Sequence, residues 1–282
     1  MNEFFKRTLS GAIYVGVVVG SILYGSYIFL GIIALLAAFA IKEYNNLHHK
    51  YSSLSDRISE ASAVLPCFAC YFMLQGESGH YIALISGICY ALVIITLLIA
   101  ELWDTKNNPF TIWGHILISH IMIALPFATM CMLFAIDKWL LLAIFVLIWI
   151  NDSGAYLVGS MTAKLPNGNH KMFPRVSPKK SWEGLIGGIV LSIGAGILLA
   201  YFGWFDLLTE NINTYLIGTI FALTVSVFGT IGDLVESLMK RTIGVKDSGR
   251  FLPGHGGILD RFDSILLAAP MVLIIITIIL IW

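Results

Sequence analysis

Charge is what this chain has least of. Only 12% of its 282 residues are Asp, Glu, Lys or Arg, against about 25% in an ordinary soluble domain. So few charges cannot solvate the surface of a water-soluble globule, which excludes a soluble enzyme and a disordered chain. Net charge is missing as well, with 17 basic residues against 17 acidic. No global field recruits polyanions, and no nucleic-acid partner is expected. Cysteine is sparse: Cys67, Cys70, Cys89 and Cys131 all lie inside apolar stretches. No second pair and no nearby His completes a zinc site with the CxxC of Cys67 and Cys70. No small-residue cleavage site follows the basic start at Lys6 and Arg7, so the first apolar run is expected to be retained as a span. Repeats and low-complexity tracts are absent too, and one polytopic membrane domain over 1–282 is the simplest organisation.

What is there is apolar: 58% of residues are hydrophobic, and the mean hydropathy is +0.86. A helix needs about 20 apolar residues to cross the hydrocarbon. The run from Leu9 to Ile41 is too long for one crossing and breaks at Gly25-Ser26 into two. Further spans are expected at 60–75, 81–102, 112–135, 139–162, 183–204, 213–236 and 263–282, which makes an all-α integral membrane protein of about nine helices. Pro66 weakens the third, and His115, His120 and Pro126 weaken the fifth. With the N-terminus in the cytoplasm, inner segments collect 16 of the 17 basic residues and only Lys138 falls outside. That asymmetry supports this orientation, with the C-terminus on the outer side. Residues 1–137 read as a helical scaffold. Residues 138–282 read as a site-bearing half with two cytoplasmic loops, about 163–182 and 237–262, which carry ten of the basic residues. The location expected is a bacterial-type inner membrane, with the chemistry facing the cytoplasm.

Three stretches hold polar residues where lipid makes them costly. Asp233, Glu236 and Lys240 are spaced i, i+3, i+7 and share one helix face. That face fits either an internal Glu236–Lys240 ion pair with Asp233 at a wet helix end, or a site. After it comes Pro253-Gly254-His255-Gly256-Gly257, followed by Asp260 and Asp263 at the start of the ninth span. Glycines free the backbone to turn with positive φ, and exposed amides at a helix start favour anionic oxygens. An ordinary turn with acids that suit the helix dipole reads the same way. Lys240, Arg241, Lys246, Arg250 and Arg261 in the same loop shift the balance towards a polyphosphate. Two carboxylates beside such a ligand make sense around a hard divalent cation such as Mg2+.

The second stretch, Asn151-Asp152-Ser153, interrupts the sixth span, where an unpaired Asp costs roughly 2.5–3.5 kcal/mol. It suits substrate or cation handling, or an inter-helix hydrogen-bonded pair. The third, Ser177-Pro178-Lys179-Lys180-Ser181-Trp182, places Ser181 as the N-cap of the seventh helix. Its lysines can meet phosphate or simply anionic lipid. Along that helix Gly184, Gly188, Ser192, Gly196 and Ala200 form a packing ridge of small side chains. His48, His49, His80, His115, His120 and His170 show no ligand spacing, and only His255 is a site candidate.

The run Ser237-Leu238-Met239-Lys240-Arg241, then Lys246-Asp247, then Pro253 to Asp263 resembles the hallmark of the phosphatidate cytidylyltransferases, the CDP-diacylglycerol synthases. The stretches Asn151–Tyr156 and Ser177–Gly184 are also similar to the family's. The likeness is strong over 138–282. One departure is Ala163-Lys164, where the family usually has Gly-Lys, followed by a small insertion at 165–169. The resemblance implies the reaction of CTP with membrane phosphatidic acid to give CDP-diacylglycerol and pyrophosphate. It implies Mg2+ or another divalent cation, with a second possible in principle. It makes Asp233, Asp260 and Asp263 the metal ligands, and Asp152 and Glu236 the wall of an acidic cavity. Lys240, Arg241, Lys246, Lys179 and Lys180 become phosphate holders, with Ser177, Asp247, Arg261 and the His255-Gly256-Gly257 backbone at the substrates. The competing readings are a CTP-dependent kinase of polyprenol-type lipid alcohols and a membrane transporter. The oligomeric state is open, a homodimer included.

Overall fold

The computed structural model describes residues 3–47, 54–103, 108–166, 168–208, 212–249, 251 and 256–281. His255, Arg250, Lys50, Lys106 and Trp282 lie outside the described residues. Contacts divide the chain into two compact units, 1–138 with 247–262 and 139–246 with 263–282.

In the first unit, α1 (Glu3–Tyr24) and α2 (Ser26–Leu47) separate at Gly25, the break expected from their combined length. The third expected span takes a different form. A polar α3 (Leu54–Ser62) is followed by α4 (Val64–Phe72), only nine residues long. At 1.5 Å per residue, α4 reaches about 13.5 Å, less than half a bilayer core. The cause is Pro66. It has no N–H for the Ser62 carbonyl four residues back, so the helix stops and restarts around Ala63. A long α5 (Gly76–Ala100) follows.

The fifth expected span is one rod. It consists of α6 (Pro109–Ser119), a π turn (His120–Ala124) and α7 (Leu125–Ile136). The π turn absorbs the N–H missing at Pro126. The histidines that weakened this span in the sequence are paired inside the unit. His115 Nε2 lies 2.9 Å from Asn45 Oδ1. His120 sits between Ser59 Oγ at 3.1 Å and Tyr90 OH at 3.2 Å. The short α11 (Leu259–Phe262) completes the unit, with Tyr14 OH donating to the Arg261 carbonyl at 3.0 Å.

The second unit begins at the second residue of α8 (Lys138–Thr162). A small antiparallel hairpin, β1 (Lys171–Phe173) and β2 (Ser177–Ser181), leads into α9 (Trp182–Tyr201). Then come α10 (Thr214–Ile243) and α12 (Ile265–Ile281). Ser181 caps α9 as expected: its Oγ accepts from Gly184 N at 3.2 Å. Ser181→Ala is expected to cost about 1 kcal/mol, read as a lower Tm in detergent.

The ridge on α9 serves two neighbours. A Cβ on Gly184 would lie 2.8 Å from the Ala155 carbonyl, and one on Gly188 would lie 2.7 Å from the Asn151 carbonyl, both on α8. Ser192 Oγ donates to the Leu147 carbonyl at 3.1 Å. Further along, Gly196 faces Gly218 and Ala222 of α10.

Among the described residues, seven helices are long and apolar enough to cross a membrane, and Thr8–Tyr24 is a shorter apolar helix. The protein is a multi-pass, essentially all-helical membrane protein.

Candidate functional site

The lysines of the 163–182 loop and the span acids meet in the second unit. A cleft of about 250 Å³ is lined by Asn151, Asp152, Ala155 and Tyr156 of α8, Met172 of β1, Lys179 to Ser181 of β2, Gly184 and Leu185 of α9, and Thr230 and Asp233 of α10. Each element delivers its residue for a local reason. The glycines of α9 let α8 approach closely, and the hairpin carries Lys179 and Lys180 back to the start of α9. The hairpin is tied down at both ends. Trp182 N donates to the His170 carbonyl at 2.9 Å, and His170 N donates to Glu183 Oε2 at 3.0 Å. At the far end of α10, Arg241 Nε donates to the Val176 carbonyl at 3.4 Å and Arg241 Nη1 to the Val245 carbonyl at 3.0 Å.

Inside the cleft Lys180 Nζ lies 2.7 Å from Asp233 Oδ2 and 3.4 Å from the Thr230 carbonyl. Ser237 Oγ donates to Asp233 Oδ1 at 3.2 Å. Asp233 is thus held from both sides while its side chain stays 29% exposed. Asn151 is buried, and its Nδ2 reaches Thr230 Oγ1 at 3.5 Å. Asp152, the next residue, faces outward on the cleft wall. The charged lining is therefore Asp152 and Asp233 against Lys179 and Lys180, two of each sign.

The sequence grouped Glu236 and Lys240 with these residues. The structure pairs them with each other, Glu236 Oε2 to Lys240 Nζ at 2.5 Å, and buries both. Of the two readings that their spacing left open, the internal ion pair is present. Ser177 starts β2 and is half-buried, while Lys246 is exposed beyond the end of α10. Asp263 belongs to the same unit, and its Oδ1 accepts from Ser264 N at 2.7 Å.

Asp247, Gly256, Gly257, Asp260 and Arg261 belong to the first unit. Asp260 is buried. Its Oδ2 accepts from Gly257 N at 2.7 Å, Ser248 N at 2.9 Å and Ser248 Oγ at 3.0 Å. Gly256 has φ +84°, a conformation that only glycine adopts readily. One residue that sequence reasoning passed over also reaches this turn. Glu43 of α2 accepts from Leu259 N at 3.0 Å and from Ser248 Oγ at 3.2 Å. Its only sequence signal was an acid near the end of an apolar run.

Comparison with known proteins adds a family. The cytidylyltransferase family model matches residues 5–279. A phosphatidate cytidylyltransferase of Staphylococcus aureus (strain COL) is 33% identical over 268 residues, covering 94% of this chain and 96% of the relative. Phosphatidate cytidylyltransferases of Staphylococcus epidermidis (strain ATCC 12228 / FDA PCI 1200) and Staphylococcus haemolyticus (strain JCSC1435) are each 32% identical over the same shares.

Proposed function

The chain belongs to the cytidylyltransferase family, and from that premise we propose that it makes CDP-diacylglycerol from CTP and phosphatidate in the membrane. It is a nucleotidyltransferase. In the reaction a phosphate oxygen of phosphatidate attacks the α-phosphorus of CTP. The bond from that phosphorus to the bridging oxygen of the β-phosphate breaks, and pyrophosphate leaves. The nucleophile is already ionised near neutral pH, so no general base is needed. The difficulty is electrostatic, because two polyanions must meet in line.

The observation that carries this reading is the cleft where Asp152 and Asp233 face Lys179 and Lys180. Two lysines can draw and hold phosphoryl oxygens. Yet the four side chains cancel in charge, so by themselves they cannot neutralise a triphosphate and a phosphate monoester together. The hard carboxylate oxygens fit Mg2+, which takes one or two carboxylates and fills its other positions with water and phosphate. Asp233 and Asp152 would hold the ion from the cleft. Asp260 and Asp263 are supported by the sequence motif. When bound, the ion supplies charge neutralisation at the transferred phosphoryl and at pyrophosphate. The Ser237 hydroxyl fixes the direction of Asp233, and Lys180 keeps its carboxylate paired until phosphate arrives.

The cytoplasmic orientation of the site, with a cytoplasmic N-terminus in a bacterial-type inner membrane, is supported by the basic residues of the expected inner loops. That placement lets CTP arrive from water while the acyl chains of phosphatidate stay in lipid.

The test uses the full chain in detergent with phosphatidate and CTP labelled at either the α- or the γ-phosphate, with and without Mg2+. The expected result is α-label in the lipid, one pyrophosphate released per lipid product, and no product without the cation. Transfer of γ-label to lipid with release of CDP would mean a kinase and overturn the proposal.

A further inference from the structure

We propose that Glu43 is a positioning residue: its carboxylate sets the glycine turn that holds Asp260. The geometry stands on the first unit alone. Its catalytic consequence rests on the cytidylyl transfer proposed above.

Glu43 lies one turn before the end of α2, in the half of the chain that the motifs do not touch. A single oxygen, Oε2, accepts both the Leu259 amide and the Ser248 hydroxyl. Ser248 in turn presents its amide and its hydroxyl to Asp260 Oδ2, the oxygen that Gly257 N also meets. Ser248 carries one hydroxyl proton, so it serves one of the two carboxylates at a time and keeps both within reach. One turn earlier on the same helix, Phe39 packs against Phe251 with ring centroids 5.7 Å apart. Thus α2 holds Ser248, Phe251 and Leu259 by an aromatic contact and a carboxylate on one face.

The glycines of the turn corroborate this. Gly256 needs glycine for its backbone angle. Gly249 and Gly257 carry no positive φ, and a side chain at either would have to displace the Glu43 carboxylate, and at Gly257 also the Ser248 hydroxyl. A Cβ at Gly249 would lie 2.6 Å from Glu43 Oε1, and a Cβ at Gly257 would collide with Glu43 Oε2 and Ser248 Oγ. Two glycines of the motif region thus leave room for a carboxylate more than 200 residues away in sequence.

The consequence is for aim. A reacting group misplaced by about 1 Å loses on the order of 100-fold in rate. Three variants separate the roles. Glu43→Gln keeps an oxygen where Oε2 stands. Glu43→Ala removes it, and Glu43→Asp keeps the charge but withdraws it by one methylene. The readouts are steady-state kinetics and peptide-resolved amide hydrogen exchange of the full chain in detergent without nucleotide. Ala and Asp are expected to lower kcat ten- to 100-fold with KM for phosphatidate within twofold. They should also speed exchange across 256–262 at least tenfold while leaving 139–162 unchanged. Gln should stay within threefold of wild type in both readouts. In the Glu43→Ala background, Gly249→Ala should add no further loss, a non-additivity expected of groups in contact.

Wild-type exchange and wild-type kcat in Ala and Asp would overturn the proposal. So would a Gln variant as impaired as Ala, which would make the charge itself a reactant. If Ala does not fold, Asp and Gln decide. If the wild-type chain has no cytidylyltransferase activity, the proposed function falls, while the exchange data still judge the contact.

Discussion

Asp233→Asn is expected to lower kcat about 1000-fold, the upper range for removing one electrostatic contributor from a transition-state site. The protein should still fold and insert. The replacement is isosteric: the Asn carbonyl can accept from Lys180 while its Nδ2 donates to the Ser237 hydroxyl, so both contacts of the side chain survive, the one with Ser237 in the reverse direction. The position is part-exposed at the end of the cleft, so no buried charge is left unpaired. What changes is net charge: the lining goes from two acids and two bases to one acid and two bases. Anionic substrates should then bind as well as before or better. KM for CTP should therefore hold or fall while kcat collapses, and saturating Mg2+ should not restore the rate. Steady-state assays over CTP and Mg2+, with Tm as the folding control, check this. Wild-type turnover in the variant would remove Asp233 from the chemistry. A raised KM with unchanged kcat would make it a ground-state binding residue instead.

Much of the site was legible because its signals are local. The polar triplet at Asn151-Asp152-Ser153 is conspicuous in an apolar span, and its Asn151 and Asp152 line the cleft. The Ser177–Trp182 stretch announced a helix cap, and Ser181 provides it. Every fourth residue of α9 is small, and the ridge seats its neighbours as that period requires. What sequence reading could not reach was pairing at a distance. Hydropathy registers the composition of 60–75, but not that Pro66 leaves the Ser62 carbonyl without its amide and cuts the helix to nine residues. The i, i+4 spacing of Glu236 and Lys240 is equally compatible with a site and with a buried ion pair. Only the packing around α10 selects the pair. Glu43 was invisible for the same reason, since nothing near it in the chain hints at Ser248 or Leu259. The 250s resemble a motif, but what holds its described part in place comes from α2.

Gly196→Val is expected to remove most of the folded protein, whereas Gly194→Val, two residues away on the same helix, should be nearly silent. In lipid there is no hydrophobic drive between helices, so association depends on close van der Waals fit, and small residues provide it. At Gly196 the fit is backbone to backbone. A Cβ there would collide with the Gly218 carbonyl of α10 and lie 2.8 Å from Ala222 Cβ. The reverse holds at Gly218, whose Cβ would meet the Gly196 carbonyl and lie 3.1 Å from Ala200 Cβ. Neither obstacle is a flexible side chain that can swing aside, so α9 and α10 must part along their length. Overpacking against rigid backbone falls at the upper end of the usual range, about 3 kcal/mol, or on the order of 10 °C in Tm. A Cβ at Gly194, by contrast, meets nothing within 4 Å. Separation of α9 from α10 also dismantles the cleft, because Gly184 and Leu185 stand on one helix and Thr230 and Asp233 on the other. Any Gly196→Val protein that survives purification should therefore lose activity out of proportion to its folded fraction. Size-exclusion yield and Tm of both variants in the same detergent measure the difference. Equal behaviour of the two would show that α9 does not meet α10 along this ridge.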